Sequence, residues 1–298
     1  MRILLTGGTG FIGQALCRRL LADRHELLVF SRRPERVPQL CGTEVFGFDD
    51  WSRLDGVAVD AVINLAGEGI ADRRWSEARK QQLRSSRIDL TRTLVDWMAA
   101  SSQPPQVLIS ASAIGWYGDQ GARALDEQSA PVPDFAHELC RDWEREALRA
   151  QTCGVRVCIL RSGVVLGREG GMLARVLPPF RMGLGGRLGD GGQWLSWISR
   201  EDLIGIMLHV LQRPELAGVF NATAPAPVTN DEFTRTLART LHRPALLPMP
   251  AGLLRLMFGE MAQLLLGGQR VLPKRVLGAG YQFSHSTLDA ALHHLLQS

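Results

Sequence analysis

A doubly wound α/β fold, a parallel sheet with helices on both faces, is what this sequence predicts, and three features carry the expectation. The apolar run Ile3-Leu4-Leu5 enters Thr6-Gly7-Gly8-Thr9-Gly10-Phe11-Ile12-Gly13, and Gln14 to Leu21 then reads as an amphipathic helix. Strand-like and helix-like patterns keep alternating through the first half of the chain. Small residues close the strand-like runs, as in Asn64-Leu65-Ala66-Gly67, at the edge where such a sheet opens its binding crevice.

The glycine turn comes first along the chain. Backbone without side chains lets amide N–H groups and the positive end of the following helix reach phosphate oxygens, so Gly7, Gly10 and Gly13, with Thr9, Phe11 and Ile12 between and beside them, are expected to hold a dinucleotide pyrophosphate. Glu26 to Phe30 is the second strand, ending in Ser31-Arg32-Arg33-Pro34. An NAD site places an acid here, about twenty residues past the glycines, to bind the ribose hydroxyls. This chain offers a hydroxyl and two guanidiniums instead, which suit a 2′-phosphate, so NADP (NADPH) is the expected cofactor. The alternative is that Arg32 and Arg33 merely solvate a loop before Pro34.

Val45 to Phe48 is a short third strand, followed by Asp49-Asp50, and Asp60 to Gly67 holds the fourth. Asn64, Leu65, Ala66 and Gly67 are expected to line the path from adenosine to nicotinamide. One long helical pattern runs from Arg74 to Ala100, with Leu83, Ile88, Leu90, Leu94, Val95 and Met98 as its apolar positions. Gln106 to Ser110 is strand five, and Ser110 to Gly118 is the loop at its C-terminal end. A helix from Asp134 to Ala150 and a sixth strand from Val155 to Arg161 follow. Gly170 to Gly192 is a glycine-dense, flexible region with Arg175, Arg181 and Arg187 interleaved; Asp202 is read as a helix cap. Gly218 to Ala222 is a final strand, Asn230 caps a helix from Asp231 to Leu241, and apolar helical patterns cover Leu253 to Leu266 and Leu288 to Leu296.

Composition narrows the function classes. Among 298 residues, 34 basic and 30 acidic side chains give a net charge of only +4, without a basic run, so no nucleic-acid partner is expected. The five cysteines are odd in number and lack a Cys-x-x-Cys pair, which reads as reduced thiols of a cytoplasmic protein. The N-terminal apolar run is too short for a signal peptide, and Arg255 and Glu260 interrupt the segment Ala251 to Leu266, so no membrane association is expected. His293-His294 stands apart from other ligand-type residues, and no metal site is expected.

The wording Thr-Gly-Gly-Thr-Gly-Phe-Ile-Gly resembles the extended short-chain dehydrogenase/reductase superfamily, home of the nucleotide-sugar epimerases and dehydratases. Asn64 to Gly67, Ser110 to Ala113, Arg161 to Gly167 and Trp197 to Leu203 look like later landmarks of the same superfamily. Pro178 to Gly186 and Gly259-Glu260-Met261 are similar to its atypical "epimerase family" branch of YfcH-type proteins. The resemblance implies a Rossmann-type NADP-binding domain, residues 1–166 and 196–228, and a smaller, mostly helical substrate-binding lobe, residues 167–195 and 229–298. It also implies cofactor contacts from Arg87 and Arg161, an anionic substrate gripped by the interleaved arginines, and a homodimer formed through the two helices flanking strand five.

One departure is sharp. The superfamily pairs a Ser with Tyr-x-x-x-Lys, the Lys lowering the Tyr pKa so that the phenol can exchange a proton with a carbinol oxygen. The only tyrosines here are Tyr117 and Tyr281, followed four residues later by Gly121 and His285, and the only lysines are Lys80 and Lys274. Ser112 aligns with the catalytic Ser and would polarise a carbonyl; Tyr117 would have to act as an unassisted phenol. His137, Glu138 and Cys140 occupy the helix window where the missing pair belongs. Two readings follow: an NADP-dependent oxidoreductase or epimerase acting on a small carbonyl or carbinol compound, or an NADP-binding structural or redox-sensing protein that acts through a protein partner without turnover.

Overall fold

A computed structural model of the chain describes residues 1–297; Ser298, the last residue of the expected lobe, lies outside the described residues. Seven strands form one parallel sheet: β1 (Arg2–Thr6), β2 (Glu26–Phe30), β3 (Phe46–Phe48), β4 (Ala61–Asn64), β5 (Val107–Ala113), β6 (Arg156–Ser162) and β7 (Gly218–Ala222). Their spatial order is β3-β2-β1-β4-β5-β6-β7, the doubly wound Rossmann arrangement with the order reversing between β1 and β4. The physical cause is visible in β1. Ile3 and Leu5 face one layer with Leu16, Leu20 and the helix Arg200–Leu211, while Leu4 faces the other with Val62, Leu94 and Met98. Successive residues point to opposite faces and both faces are covered, so the strand is apolar throughout.

A separate apolar cluster runs from Leu173, Leu177 and Phe180 to Phe233, Leu237 and Leu292, and takes in Ala224 from the stretch expected in the cofactor domain. Trp197 belongs to it, fully buried, with its indole N–H donated to the Ala226 carbonyl at 3.0 Å. Arg270 covers the Trp194 ring at 4.6 Å.

Several elements differ from the sequence pattern for local reasons. Strand β5 runs on to Ala113, so Ser112 stands in a strand rather than in a loop. The long helical stretch comprises Glu77–Arg84, a π-helical turn at Ser85–Asp89, and Leu90–Ala100. The glycine-dense region contains a helix, Gly171–Arg181, whose last turn holds Pro178 and Pro179 and so lacks two ladder hydrogen bonds. Gly259, at φ +59°, breaks the apolar segment after the helix Ala251–Phe258. Ser199, not Asp202, caps the helix Arg200–Leu211; Asp202 stands at its third position.

The cap of the helix Asn230–Thr240 is likewise Thr229 rather than Asn230, whose side chain instead accepts from the Leu188 amide at 2.8 Å. Thr229 Oγ1 accepts from the Glu232 amide at 3.2 Å and Glu232 Oε2 accepts from the Thr229 amide at 2.7 Å, a reciprocal capping box. Thr229→Ala is expected to cost about 1 kcal/mol and lower Tm by roughly 2–4 °C, read by thermal denaturation.

Candidate functional site

The sheet opens at the C-terminal ends of β1 and β4, where the strand order reverses. Gly7 turns the chain there with φ +72°, and a Cβ added to it would stand 2.7 Å from the Leu65 carbonyl carbon. A Cβ on Gly13 would come within 2.2 Å of the Gly7 carbonyl oxygen. Only glycine allows the turn, the end of β4 and the first turn of the helix Phe11–Ala22 to pack this closely. That helix has Gly10 at its N-cap and no side-chain cap, leaving its first amides free of helical partners. Unpartnered amides at a helix N-terminus are suited to bind an anion. Phe11 and Ile12 contribute backbone here; the Phe11 ring lies under the Arg200 guanidinium at 4.9 Å, and Ile12 packs against the core.

A crevice of about 1200 Å³ runs from this turn past Ser31, Arg32 and Arg33 and along Leu65, Ala66 and Gly67. Such a volume is ample for a dinucleotide. Ser31 Oγ accepts from the Arg33 amide at 3.1 Å, holding the loop in shape, and the Arg32 side chain is 88 % exposed. An acid does reach this corner, although β2 does not supply it: Glu68 lies 3.1 Å from Arg32 and 3.5 Å from the buried Arg79. Neither Glu68 nor Arg79 was found from the sequence, because Glu68 follows β4, two strands from β2 in the sheet, and Arg79 lies on the helix Glu77–Arg84; only the fold brings them together with Arg32.

Three residues expected to touch the cofactor are engaged by other side chains or backbone. Asn64 is fully buried; it accepts from Thr6 Oγ1 at 2.6 Å and donates to Thr91 Oγ1 at 2.8 Å, joining strands to the helix Leu90–Ala100 beneath the crevice. Arg87 donates to the Glu68 carbonyl at 2.7 Å and leans on Gly67 and the Trp143 ring, pinning the crevice wall. Arg161 is 3 % exposed and turned into the protein.

Arg161 centres a second, enclosed constellation. Parallel register sets Ser112, Arg161 and Asn221 side by side across β5, β6 and β7. Glu144, from the helix Phe135–Leu148, accepts two bonds from Arg161 at 2.8 Å each and a third from Ser112 Oγ at 2.6 Å. The guanidinium lies 3.5 Å from the Trp116 ring centroid and donates to Tyr117 OH at 3.3 Å, and Tyr117 donates in turn to Asn221 Oδ1 at 2.6 Å. Burial would lower the Arg161 pKa, but the Glu144 carboxylate outweighs it and holds the value above the ordinary one. Tyr117 is fully buried, and that burial pushes its phenol up. The Tyr117 hydroxyl, expected to act as an unassisted phenol, is closed off and less acidic than a free phenol. Ser112, 4 % exposed, has its hydroxyl donated inward.

The helix candidates are engaged as well. Burial, then Glu144, pushes the Cys140 thiol up to about 12, so it stays neutral at physiological pH. His137 Nδ1 sits 2.6 Å from the Trp116 carbonyl, and Glu138 pairs with Arg84 at 3.0 Å. Glu144 itself carried a signal that the sequence reading passed over: Ala136, Cys140, Trp143 and Ala147 mark the apolar stripe of this helix, and Glu144 falls on it. An acid on a buried stripe calls for a buried cation.

Glu144→Gln is expected to cost about 3–5 kcal/mol by leaving Arg161 charged and half-partnered in the interior, whereas the apolar pair Glu144→Leu with Arg161→Met recovers most of that loss. Denaturant unfolding of the single and double variants checks this.

Family comparison matches the "NAD dependent epimerase/dehydratase family" over residues 3–222 and a "Domain of unknown function (DUF1731)" over residues 249–295. The chain is similar to "Epimerase family protein SDR39U1" of Bos taurus, 41% identical, covering 99% of this chain and 100% of that one. It is 44% identical to "Epimerase family protein MT2273" of Mycobacterium tuberculosis, covering 97% and 96% of the two chains. Among solved structures, human SDR39U1 (isoform 2) with NADPH superposes with a TM-score of 0.91 at 38% identity, covering 100% of this chain and 99% of that one. UDP-glucuronic acid 4-epimerase from Bacillus cereus, at 18% identity, TM-score 0.78 and coverage of 99% and 98%, shares the fold.

Proposed function

The chain belongs to the NAD dependent epimerase/dehydratase family, and from that premise we propose that it binds NADP(H) and uses it in hydride chemistry on a small, anionic carbonyl or carbinol compound. The observation that carries the cofactor choice is the corner of the crevice where β2 ends in Ser31, Arg32 and Arg33, with the Arg32 guanidinium turned to solvent. A 2′-phosphate there meets cations that a ribose hydroxyl does not need. The NADPH in the human relative's structure supports the same choice. Glu68, set between Arg32 and Arg79, competes for those cations until the cofactor arrives.

The substrate class rests on Arg175, Arg181 and Arg187, all exposed on the helix Gly171–Arg181 and the loop after it. Arg175 is paired with Asp72 beside the crevice. The cofactor carries the hydride, and the protein's part is orientation and charge. A second reading, NADP(H) bound without turnover and read by a protein partner, has its own support. The hydroxyls of Ser112 and Tyr117 are donated to Glu144 and Asn221, and no phenol–ammonium pair stands beside them. A reducing, cytoplasmic setting and a homodimer through the helices flanking β5 belong to the same proposal. The free thiols of all five cysteines fit that setting, and no described helix is long and apolar enough to cross a membrane.

Fluorescence titration is expected to show a ten- to hundredfold preference for NADPH over NADH, about 1.5–3 kcal/mol, which Arg32→Ala largely removes and Glu68→Gln increases. Equal affinity for the two nucleotides would overturn the NADP assignment, and absence of binding would overturn the function. Stereospecific transfer of label from NADPH into a carbonyl substrate separates the readings: transfer supports the oxidoreductase, and bound NADPH left unoxidised across a broad carbonyl panel supports binding without turnover.

A further inference from the structure

The end of the chain brings together three side chains that are distant in sequence. Glu201 lies in the first turn of the helix Arg200–Leu211, His285 precedes the helix Leu288–Gln297, and His294 stands on that helix. One donor atom of each lies within 4.8 Å of the other two. Nε2 of His294 is 3.1 Å from Glu201 Oε1, and Nδ1 of His285 is 3.9 Å from Oε2 of the same carboxylate. The two imidazole centroids are 4.7 Å apart.

His285 supplies the independent observation. Its side chain is 10 % exposed, and Nδ1 is shielded from solvent without a hydrogen-bond partner. Asp202 approaches to 3.6 Å, too far for a hydrogen bond, and its oxygens are already committed. Oδ1 accepts from the Ser284 amide at 2.8 Å and Tyr281 OH at 3.1 Å; Oδ2 accepts from Ser199 Oγ at 2.8 Å and the His285 amide at 3.0 Å. A buried ring nitrogen left unbonded is destabilising. This one looks toward a carboxylate and a second imidazole.

We propose that Glu201, His285 and His294 form a binding site for a divalent transition metal of the zinc type. Two imidazoles and one carboxylate are a zinc donor set, whereas magnesium and calcium prefer oxygen ligands throughout. Zinc bonds of about 2.0–2.2 Å place tetrahedral ligand atoms roughly 3.4 Å apart, and the three donor atoms, already within 4.8 Å of one another, need to close in by little more than 1 Å. His285 is held in place by its buried setting, and rotation of the exposed Glu201 and His294 side chains closes the site around Nδ1. The negative charges of Glu201 and nearby Asp202 offset that of the metal. Bound there, the ion joins the last helix of the lobe to a helix that packs on the central sheet, fixing how the lobe sits on the cofactor domain.

The test uses the full chain without an affinity tag, freed of metal with a chelator and titrated with Zn²⁺ by calorimetry and thermal denaturation. One zinc per chain is expected, with Tm raised by roughly 5–10 °C at a hundredfold excess over Kd, and no response to Mg²⁺. His294→Ala and Glu201→Gln, both at exposed positions, should each weaken zinc binding at least tenfold while lowering the metal-free Tm by no more than the roughly 2–4 °C that loss of an exposed pair costs. Cys153→Ser, which removes the one thiol that is not buried, should bind like the native chain. Absence of stoichiometric binding, an equal response to Mg²⁺, or zinc affinity that survives both His294→Ala and Glu201→Gln would overturn the proposal.

Discussion

The ion pair between Arg161 and Glu144 is the constraint around which the ends of β5, β6 and β7 are arranged. Both groups are out of water, so neither can be left alone without an uncompensated interior charge. Their partners are therefore built into neighbouring elements: Ser112 on β5, Asn221 through Tyr117 on β7, and the face of Trp116. The helix Phe135–Leu148 is held to the sheet at this point by charge as well as by apolar contact. Ser112, which the resemblance sets at the place of a catalytic serine, donates its hydroxyl to this buried salt bridge.

The cofactor crevice depends on closeness rather than charge. Gly7 and Gly13 let the turn touch the end of β4, and Arg87 fixes Gly67 and Glu68 from the other side. A rigid backbone cradle results, with amides at one end and arginines at the other. The two sites adjoin on the same sheet edge but differ in kind: the crevice is open and cationic at its rim, and the Arg161 network is closed and internally neutral.

The C-terminal segment ties the lobe to this body in more than one place. Gln269–Val271 adds in parallel to Gly121–Leu125, and Glu127 accepts from the amides of both Asn221 and Arg275. Tyr281 reaches Asp202 across Gly205, where any larger residue would meet its hydroxyl. Asp202, read from sequence as a helix cap, is the acceptor on which this segment converges.

The sequence by itself determined the elements whose signals are local. Strands β2 and β7 fall where alternation and flanking turns placed them, and the glycine turn and the arginines after β2 need only their own neighbours to be recognised. The missing Tyr-x-x-x-Lys was legible too. Tertiary structure decided which side chains meet. Register across three strands set Ser112, Arg161 and Asn221 side by side, and the chain leaving β4 delivered Glu68 to Arg32. The folding back of the last helix gave His294 the companions that His293-His294 lacked in sequence. Local pattern fixes a residue's face and element; parallel pairing and chain return join residues 30 to 100 positions apart, and no window of sequence contains that information.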